Sequence, residues 1–350
     1  MQSNFVIVKK IIQETYNTKS FLIESNDKNN PLKYIPGQFI SIIHPQAKEI
    51  RRSYSFASCP ETEIAKITVK RIDNGILSRF LFDHIKEGDK LPYSQIKGLF
   101  TLPEKALENK EKELIFFAAG SGITPCISII KNTLPKIQYT QKIRLIYSNN
   151  TKESTIFLDE IISLEKEYSN FYVEWMFSNA ENILKSRLNN FVIIDFIKDW
   201  TKNKDKKHFH FFICGPIIYM DTVSISLLTE GFKREQIRKE IFYNPDLIET
   251  NKELPPDKNT YKAKILLNGE MHQFEIPYPK SIMQAAHDYG IQLPFSCESG
   301  QCGSCVAQIK SGEVWMSYNE VLMPSDIERG ICLTCVGHPI NDDISLEFNP

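Results

Sequence analysis

The chain has 350 residues, enough for two or three domains, and 42% hydrophobic with 24% charged residues fits a globular protein with real cores. Its formal net charge of -1 excludes the one-signed charge expected of a nucleic-acid binder or a polybasic membrane-surface protein. The opening MQSNFVIVKK holds no apolar stretch long enough for a signal peptide, and the long uncharged run between Glu113 and Lys131 is broken by Gly120, Gly122 and Pro125. That run reads as strand, turn and helix rather than a membrane span, and the expected location is cytoplasmic.

Residues 1–106 read as an all-β module. Short apolar runs (Phe5–Val8, Phe39–Ile43, Ile64–Val69) are divided by Pro36-Gly37 and by Asp73-Asn74-Gly75. Arg52-Ser53-Tyr54-Ser55 follows a strand signal. An arginine there can pair with a pyrophosphate. A tyrosine two residues on shares its strand face and can cover a flavin ring. Alone, the tetrapeptide would be an ordinary polar strand. Its company changes the reading: Pro36-Gly37-Gln38 precedes it, and Gly75-Ile76-Leu77-Ser78 follows on a turn entering a helix. A helix N-terminus carrying Ser78 is an anion site suited to flavin phosphates.

Residues 107–245 alternate strand and helix signals, as a parallel sheet with helices on its faces requires. ELIFFAA, KIRLIYSN, FYVEWMFS and HFHFFICGP are the strand signals. Gly120-Ser121-Gly122, with Thr124 and Pro125, follows the first of these and opens a helix. Glycines in that position let backbone approach a pyrophosphate, although Pro125 stands where the dinucleotide fingerprint has its last glycine. Cys214-Gly215-Pro216 ends the last buried strand. Cys214 alone would be a small buried hydrophobe. Paired with the glycine turn, it faces the crevice at the carboxyl ends of the strands, where such sheets bind ligands.

Residues 246–260, polar and containing Pro255-Pro256, read as a linker. Residues 261–350 start afresh. Asn268-Gly269 marks a hairpin, Ser281 with Gln284 a capping box, and Gly290 a helix end. Of eight cysteines (Cys59, Cys126, Cys214, Cys297, Cys302, Cys305, Cys332 and Cys335), five lie from Cys297 onward. Cys297, Cys302 and Cys305 are spaced C-x4-C-x2-C, the plant-type [2Fe-2S] spacing, with Cys332 or Cys335 as a distant fourth thiolate. A structural zinc site, which favours paired C-x2-C units, is the rival reading of these cysteines. Gly300 and Gly303 let the loop wrap tightly and turn its N–H groups to the sulfurs.

In RRSYSFAS, VKRIDNGILSRFLFDHI, FFAAGSGITP, FFICGPIIYMD and the cysteine loop, the chain resembles the ferredoxin–NADP reductase superfamily with a C-terminal plant-type ferredoxin domain. Within that superfamily it resembles the reductase subunits of phenylacetyl-CoA epoxidase. The resemblance spans essentially the whole chain. It implies an antiparallel β-barrel FAD domain, an α/β parallel-sheet NAD(P) domain and an α+β, β-grasp [2Fe-2S] domain. It implies that Arg52, Ser53, Tyr54, Ser55, Val69, Lys70, Gly75, Leu77 and Ser78 hold FAD. Gly120, Gly122, Thr124, Pro125, Cys214, Gly215 and Pro216 would receive NADH or NADPH, with Cys214, Tyr54 and Ser55 at the reacting centre. Leu333-Thr334-Cys335, followed closely by Pro339, resembles the ferredoxin pattern, which implies Cys335 rather than Cys332 as fourth ligand. Glu240-Ile241-Phe242 would close the nucleotide domain, with no catalytic role assigned. NADPH-using relatives carry arginine where this chain has Asn150 and Asn179; Lys152, Lys185 or Arg187 are the cations that could substitute.

The implied function is electron transfer from NAD(P)H to FAD, to [2Fe-2S] and on to an acceptor, as the reductase component of a multicomponent oxygenase. No general base is needed, because the cofactors carry the chemistry. A general ferredoxin- or flavodoxin-type reductase is the rival. A non-catalytic iron–sulfur sensor is a third reading, against which the intact flavin and nucleotide motifs speak.

Overall fold

The structure, a computed structural model, describes residues 4–27, 30–62, 64–102, 112–138, 140–181, 186–242 and 253–348. Residues 107–111 and 243–245 of the expected nucleotide domain, 246–252 of the expected linker, and Lys185 lie outside this set. The chain divides into two compact units, Met1–Glu240 and Ile241–Pro350.

The first unit opens with a six-stranded antiparallel sheet among the described residues: β1 (Asn4–Thr15), β2 (Thr18–Ser25), β3 (Phe39–His44), β4 (Ala47–Ser55), β5 (Ala65–Lys70) and β6 (Lys90–Lys97), ordered β4-β3-β6-β1-β2-β5. The edge strands meet: Phe56, just past β4, bridges to Ile67 of β5, which closes the sheet into a barrel. Alternation sends Val6 and Val8, Phe21 and Ile23, Ile40 and Ile42, and Ile67 and Val69 into one core. Helix α1 (Ile76–His84) adds Leu77 and Leu81 to it. Pro36-Gly37 turns so tightly against the end of the barrel that a Cβ on Gly37 would lie 1.8 Å from the Phe100 carbonyl oxygen, and its φ is +89°. Only glycine fits both constraints.

The same unit continues as a five-stranded parallel sheet: β7 (Glu113–Ala119), β8 (Ile143–Asn149), β9 (Phe171–Phe177), β10 (Phe209–Cys214) and β11 (Ile237–Glu240), ordered β11-β10-β7-β8-β9. Helices α2 (Ile123–Thr133), α3 (Leu158–Glu167), α4 (Asn190–Thr201) and α5 (Ile217–Thr229) connect its strands. A parallel sheet is covered on both faces, which is why ELIFFAA and FHFFIC are apolar almost without alternation. Asn189 starts α4 by accepting the Val192 N–H at 3.1 Å. Barrel and parallel sheet are tied together by Lys66 to Glu160 at 2.8 Å and by the Ser128 hydroxyl to the Ser58 carbonyl at 2.7 Å.

The second unit holds β12 (Tyr261–Leu267), β13 (Glu270–Ile276), β14 (Val306–Met316), β15 (Ile331–Leu333) and β16 (Gly337–Glu347), ordered β13-β12-β16-β14-β15, with α6 (Ile282–Asp288) and α7 (Pro324–Glu328). β12 and β16 run parallel and the other neighbours antiparallel, the β-grasp arrangement. The hairpin turn sits on Asn268 and Gly269, with φ of 52° and 82°. Ser281 and Gln284 form the expected capping box, and Gly290 follows α6 at φ 73°. Pro255 is buried, and Asp257 accepts the Asn341 N–H at 3.0 Å and the Tyr261 hydroxyl, so residues 253–260 are fastened to this sheet.

Candidate redox sites

The chain runs from β7 outward through β8 and β9, then returns to place β10 and β11 on the other side of β7. The sheet therefore has its switch point between β7 and β10, where ligands enter at the carboxyl ends. Both expected nucleotide motifs stand there. A Cβ on Gly122 would lie 2.2 Å from the Cys214 carbonyl oxygen, and one on Gly215 would lie 2.9 Å from Ala119 Cβ. The two loops touch backbone to backbone, which leaves their outer face for a ligand. Gly120 takes φ +53°. The Tyr147 hydroxyl donates to its carbonyl at 3.0 Å, the Tyr219 hydroxyl to the Ala118 carbonyl at 3.2 Å, and the Thr124 hydroxyl to the Ser121 carbonyl at 3.0 Å. No side chain caps α2; its first residue, Ile123, gives its N–H to the Gly120 and Ser121 carbonyls of the preceding turn, and Pro125 falls in the first turn where a missing N–H is harmless. Lys70 Nζ comes within 3.9 Å of where a Gly120 Cβ would be, adding a cation from the barrel. Pro216 precedes the first residue of α5.

On β4, Arg52 and Tyr54 lie opposite Ile42 and Ile40, while Ser53 and Ser55 lie opposite Ser41 and Phe39. Arginine and tyrosine thus share one face, as expected. The Ser53 and Ser41 hydroxyls are 3.1 Å apart. Arg52 donates to the Arg51 carbonyl at 2.6 Å. Tyr54 is half-buried, and burial pushes its phenol up, so it stays neutral. The Ser78 hydroxyl is engaged with its own turn, accepting the Ile72 N–H at 3.3 Å and donating to the Gly75 carbonyl at 3.4 Å. A Cβ on Gly75 would lie 2.3 Å from that hydroxyl. What α1 offers a phosphate is backbone, since no side chain caps it. Val69 and Leu77 point into the barrel core and could serve a flavin only through their backbone.

Glu240, given no catalytic role by the sequence, is brought to this centre by β11. Register sets it beside Cys214, and the Ser55 hydroxyl lies 3.4 Å from its carboxylate. Only 6% of Glu240 is exposed, and burial raises its pKa to about 8, against a smaller lowering by Ser55. Cys214 is fully buried, and burial, then the nearby Glu240 and Cys126, push its thiol well up. The centre therefore holds a neutral thiol, a hydroxyl and a carboxyl that is mostly protonated near neutrality.

In the second unit all four expected cysteines are buried, and they stand as two pairs. Cys305 Sγ and Cys335 Sγ are 3.2 Å apart. The neighbouring Cys302 is the main cause that holds the Cys297 thiol well below its ordinary range, and the Ser299 N–H approaches Cys297 Sγ at 3.5 Å. Thr334 holds the two segments together, its N–H and hydroxyl both reaching the Cys305 carbonyl at 3.2 and 3.0 Å. Two thiolates on each of two irons is what a [2Fe-2S] core takes. Cys332 lies in β15, paired with Ala307, fully buried, and burial pushes its thiol up. Glycines make the loop possible: Gly300 and Gly303 have φ of 75° and 67°, and a Gly300 Cβ would lie 2.9 Å from the Tyr318 carbonyl oxygen.

Three family models match in the order that this geometry suggests: an oxidoreductase FAD-binding domain over residues 5–101, an oxidoreductase NAD-binding domain over 116–224, and a 2Fe-2S iron-sulfur cluster binding domain over 265–339. The chain is 32% identical over 361 residues to the ferredoxin reductase component of 3-ketosteroid-9-alpha-monooxygenase from Rhodococcus rhodochrous, covering 99% of this chain and 97% of the relative. It is 28% identical over 330 residues to one of the subunits of 1,2-phenylacetyl-CoA epoxidase from Escherichia coli K12, covering 91% and 89%. Phthalate dioxygenase reductase, described as a modular structure for electron transfer from pyridine nucleotides to [2Fe-2S], shares the fold with a TM-score of 0.61 at 24% identity, covering 98% of this chain and 97% of that one. The protein is an NAD(P)H-dependent oxidoreductase that uses FAD and a [2Fe-2S] cluster. The chain belongs to the ferredoxin–NADP reductase superfamily, in the group whose flavin and nucleotide domains are joined to a plant-type [2Fe-2S] domain.

Proposed function

We propose that this chain is the reductase component of a multicomponent oxygenase such as a phenylacetyl-CoA epoxidase, feeding an oxygenase or ferredoxin-type acceptor in the cytoplasm. The observation that carries the redox reading is the meeting of Ser55, Glu240 and Cys214, which joins the flavin strand to the nicotinamide crevice. The oxygenase partner is supported by the names of the relatives. Eight free cysteines suit a reducing compartment, and among the described residues no helix is long and apolar enough to cross a membrane. The working domains on this reading are 1–106, 107–245 and 261–350, with 246–260 between them.

The bound flavin supplies conversion of a two-electron hydride into single electrons, which the cluster passes on. Tyr54 would cover the flavin ring, Arg52 and the α1 backbone would hold its phosphates, and Lys70 with the Gly120–Gly122 turn would receive the nucleotide pyrophosphate. Cys214 would line the nicotinamide site as a neutral thiol. Ser55 and Glu240 form a buried pair able to hold a proton beside the ring. Cys297 with Cys302, and Cys305 with Cys335, would hold one iron each.

Removing residues 261–350 tests the relay. NAD(P)H oxidation by ferricyanide should survive, and reduction of cytochrome c should be lost. Full-rate cytochrome c reduction by the truncated chain would take the cluster off the path.

A further inference from the structure

The loop from Cys297 to Cys305 buries more polar chemistry than its thiols. Ser304 is 0% exposed and Ser299 5% exposed. A buried hydroxyl left without a partner is destabilising. The Ser299 hydroxyl has no hydrogen-bond partner among the described residues. Ser304 places two groups on one sulfur: its N–H is 3.4 Å from Cys302 Sγ, and its hydroxyl oxygen is 3.2 Å from the same atom. A Cys302 thiol can donate to that hydroxyl. An iron-bound thiolate has no proton, and the hydroxyl, free to rotate, must then be the donor. The ties of the loop to the rest of the unit are made by other groups, Thr334 on the Cys305 carbonyl and the Glu320 N–H on the Gly300 carbonyl at 3.3 Å. The Ser304 hydroxyl is thus left to Cys302 sulfur, and the unpartnered Ser299 hydroxyl sits on the residue whose N–H approaches Cys297 Sγ at 3.5 Å.

We propose that Ser304, assisted by Ser299, sets the reduction potential of the cluster by donating hydroxyl hydrogen bonds to its sulfur atoms. This rests on the ligand reading above. Reduction brings one electron from the flavin side of the NAD(P)H reaction, adds one negative charge to the cluster and its thiolates, and neither forms nor breaks a bond. A hydroxyl dipole aimed at sulfur stabilises that added charge more than it stabilises the oxidised state, so it raises the potential. Both serines are positioning residues: they act through the ligands and the core rather than on substrate.

The test uses the full-length holoprotein. The parent protein must first show the visible and EPR signature of a [2Fe-2S] cluster; its absence would sink the ligand reading rather than the tuning. Midpoint potentials are then measured by mediated titration. Ser304→Ala should hold the cluster at a more negative potential, with the reduced-to-oxidised ratio at the parent midpoint about tenfold lower, a shift of about 59 mV for one electron. Ser304→Thr, which keeps the hydroxyl, should return the potential toward the parent value, and Ser299→Ala should shift it negative. If Ser304→Ala does not assemble a cluster, Ser299→Ala decides. An unchanged potential in the alanine variants that hold a cluster overturns the proposal. Loss of the cluster in both overturns it too, because the hydroxyls would then be assembly determinants.

Discussion

The Ser55 hydroxyl lies 3.4 Å from the Glu240 carboxylate although the two residues are 185 positions apart. Burial raises the Glu240 pKa from 4.5 to about 8. Between these values the folded protein keeps a proton that the unfolded chain has lost. The stability contribution is therefore fully present below 4.5 and falls as pH rises toward 8, by about 1.4 kcal/mol per pH unit. Glu240→Gln keeps the shape and removes the titration. Its melting temperature should vary less across that window and exceed the parent value at alkaline pH. Parallel curves for the two proteins would mean that Glu240 does not titrate as its burial implies.

The choice between two cysteines three residues apart can be read from spectra. Cys332→Ser should keep the visible cluster bands, since Cys332 is a buried strand residue opposite Ala307. Cys335→Ser should lose them, because it removes the thiol 3.2 Å from Cys305. The reverse pattern would exchange the two assignments.

Coenzyme preference should be weak. The ends of β8 and β9 hold Asn150 and Asn179 together, with the Asn179 N–H on the Asn150 carbonyl at 3.3 Å, and both residues are exposed. Neither carries the charge that would grip a 2′-phosphate. A charge-assisted contact is worth about 1.5–3 kcal/mol, so its lack removes roughly one to two decades of selectivity. Comparing kcat/KM for NADH and NADPH checks this. A preference for NADPH beyond about a hundredfold would assign the role to a cation such as Lys152 or Arg187.

Gly122→Ala should damage the nucleotide crevice before the flavin site. The added Cβ would sit 2.2 Å from the Cys214 carbonyl oxygen, and neither backbone can move without opening the joint between β7 and β10. Overpacking of this kind costs about 1–3 kcal/mol. We expect kcat/KM for NAD(P)H to fall at least about tenfold with FAD content retained. Parent-like kinetics would show that the two loops are looser than their contact implies.

Much of the architecture is written in short stretches of sequence. ELIFFAA forms β7 because a strand buried on both faces is apolar along nearly its whole length, here from Leu114 onward. Asn268-Gly269 turns the hairpin because those residue types accept positive φ, and Ser281 starts α6 because its hydroxyl takes the Gln284 N–H at 3.2 Å. The C-x4-C-x2-C loop needs only nine consecutive residues to declare three of its thiols. These signals act between neighbours in the chain, so they survive without the fold. Glu240 carries no local signal for a role at the reacting centre: only the resemblance singles out Glu240-Ile241-Phe242, as the segment that closes the nucleotide domain. Its place is decided by the register of β11 on β10 and by the barrel presenting Ser55 to it. Ser78 carried a local signal for a phosphate, yet its hydroxyl is spent on the Ile72 and Gly75 backbone, a competition visible only once the turn has closed. Cys332 and Cys335 are equivalent in spacing. Pairing of β15 with β14 turns Cys332 into the core and leaves Cys335 beyond the strand end, within reach of Cys305. Contacts across such separations depend on which strands pair and in what register, and that is a property of the packed chain rather than of any segment in it.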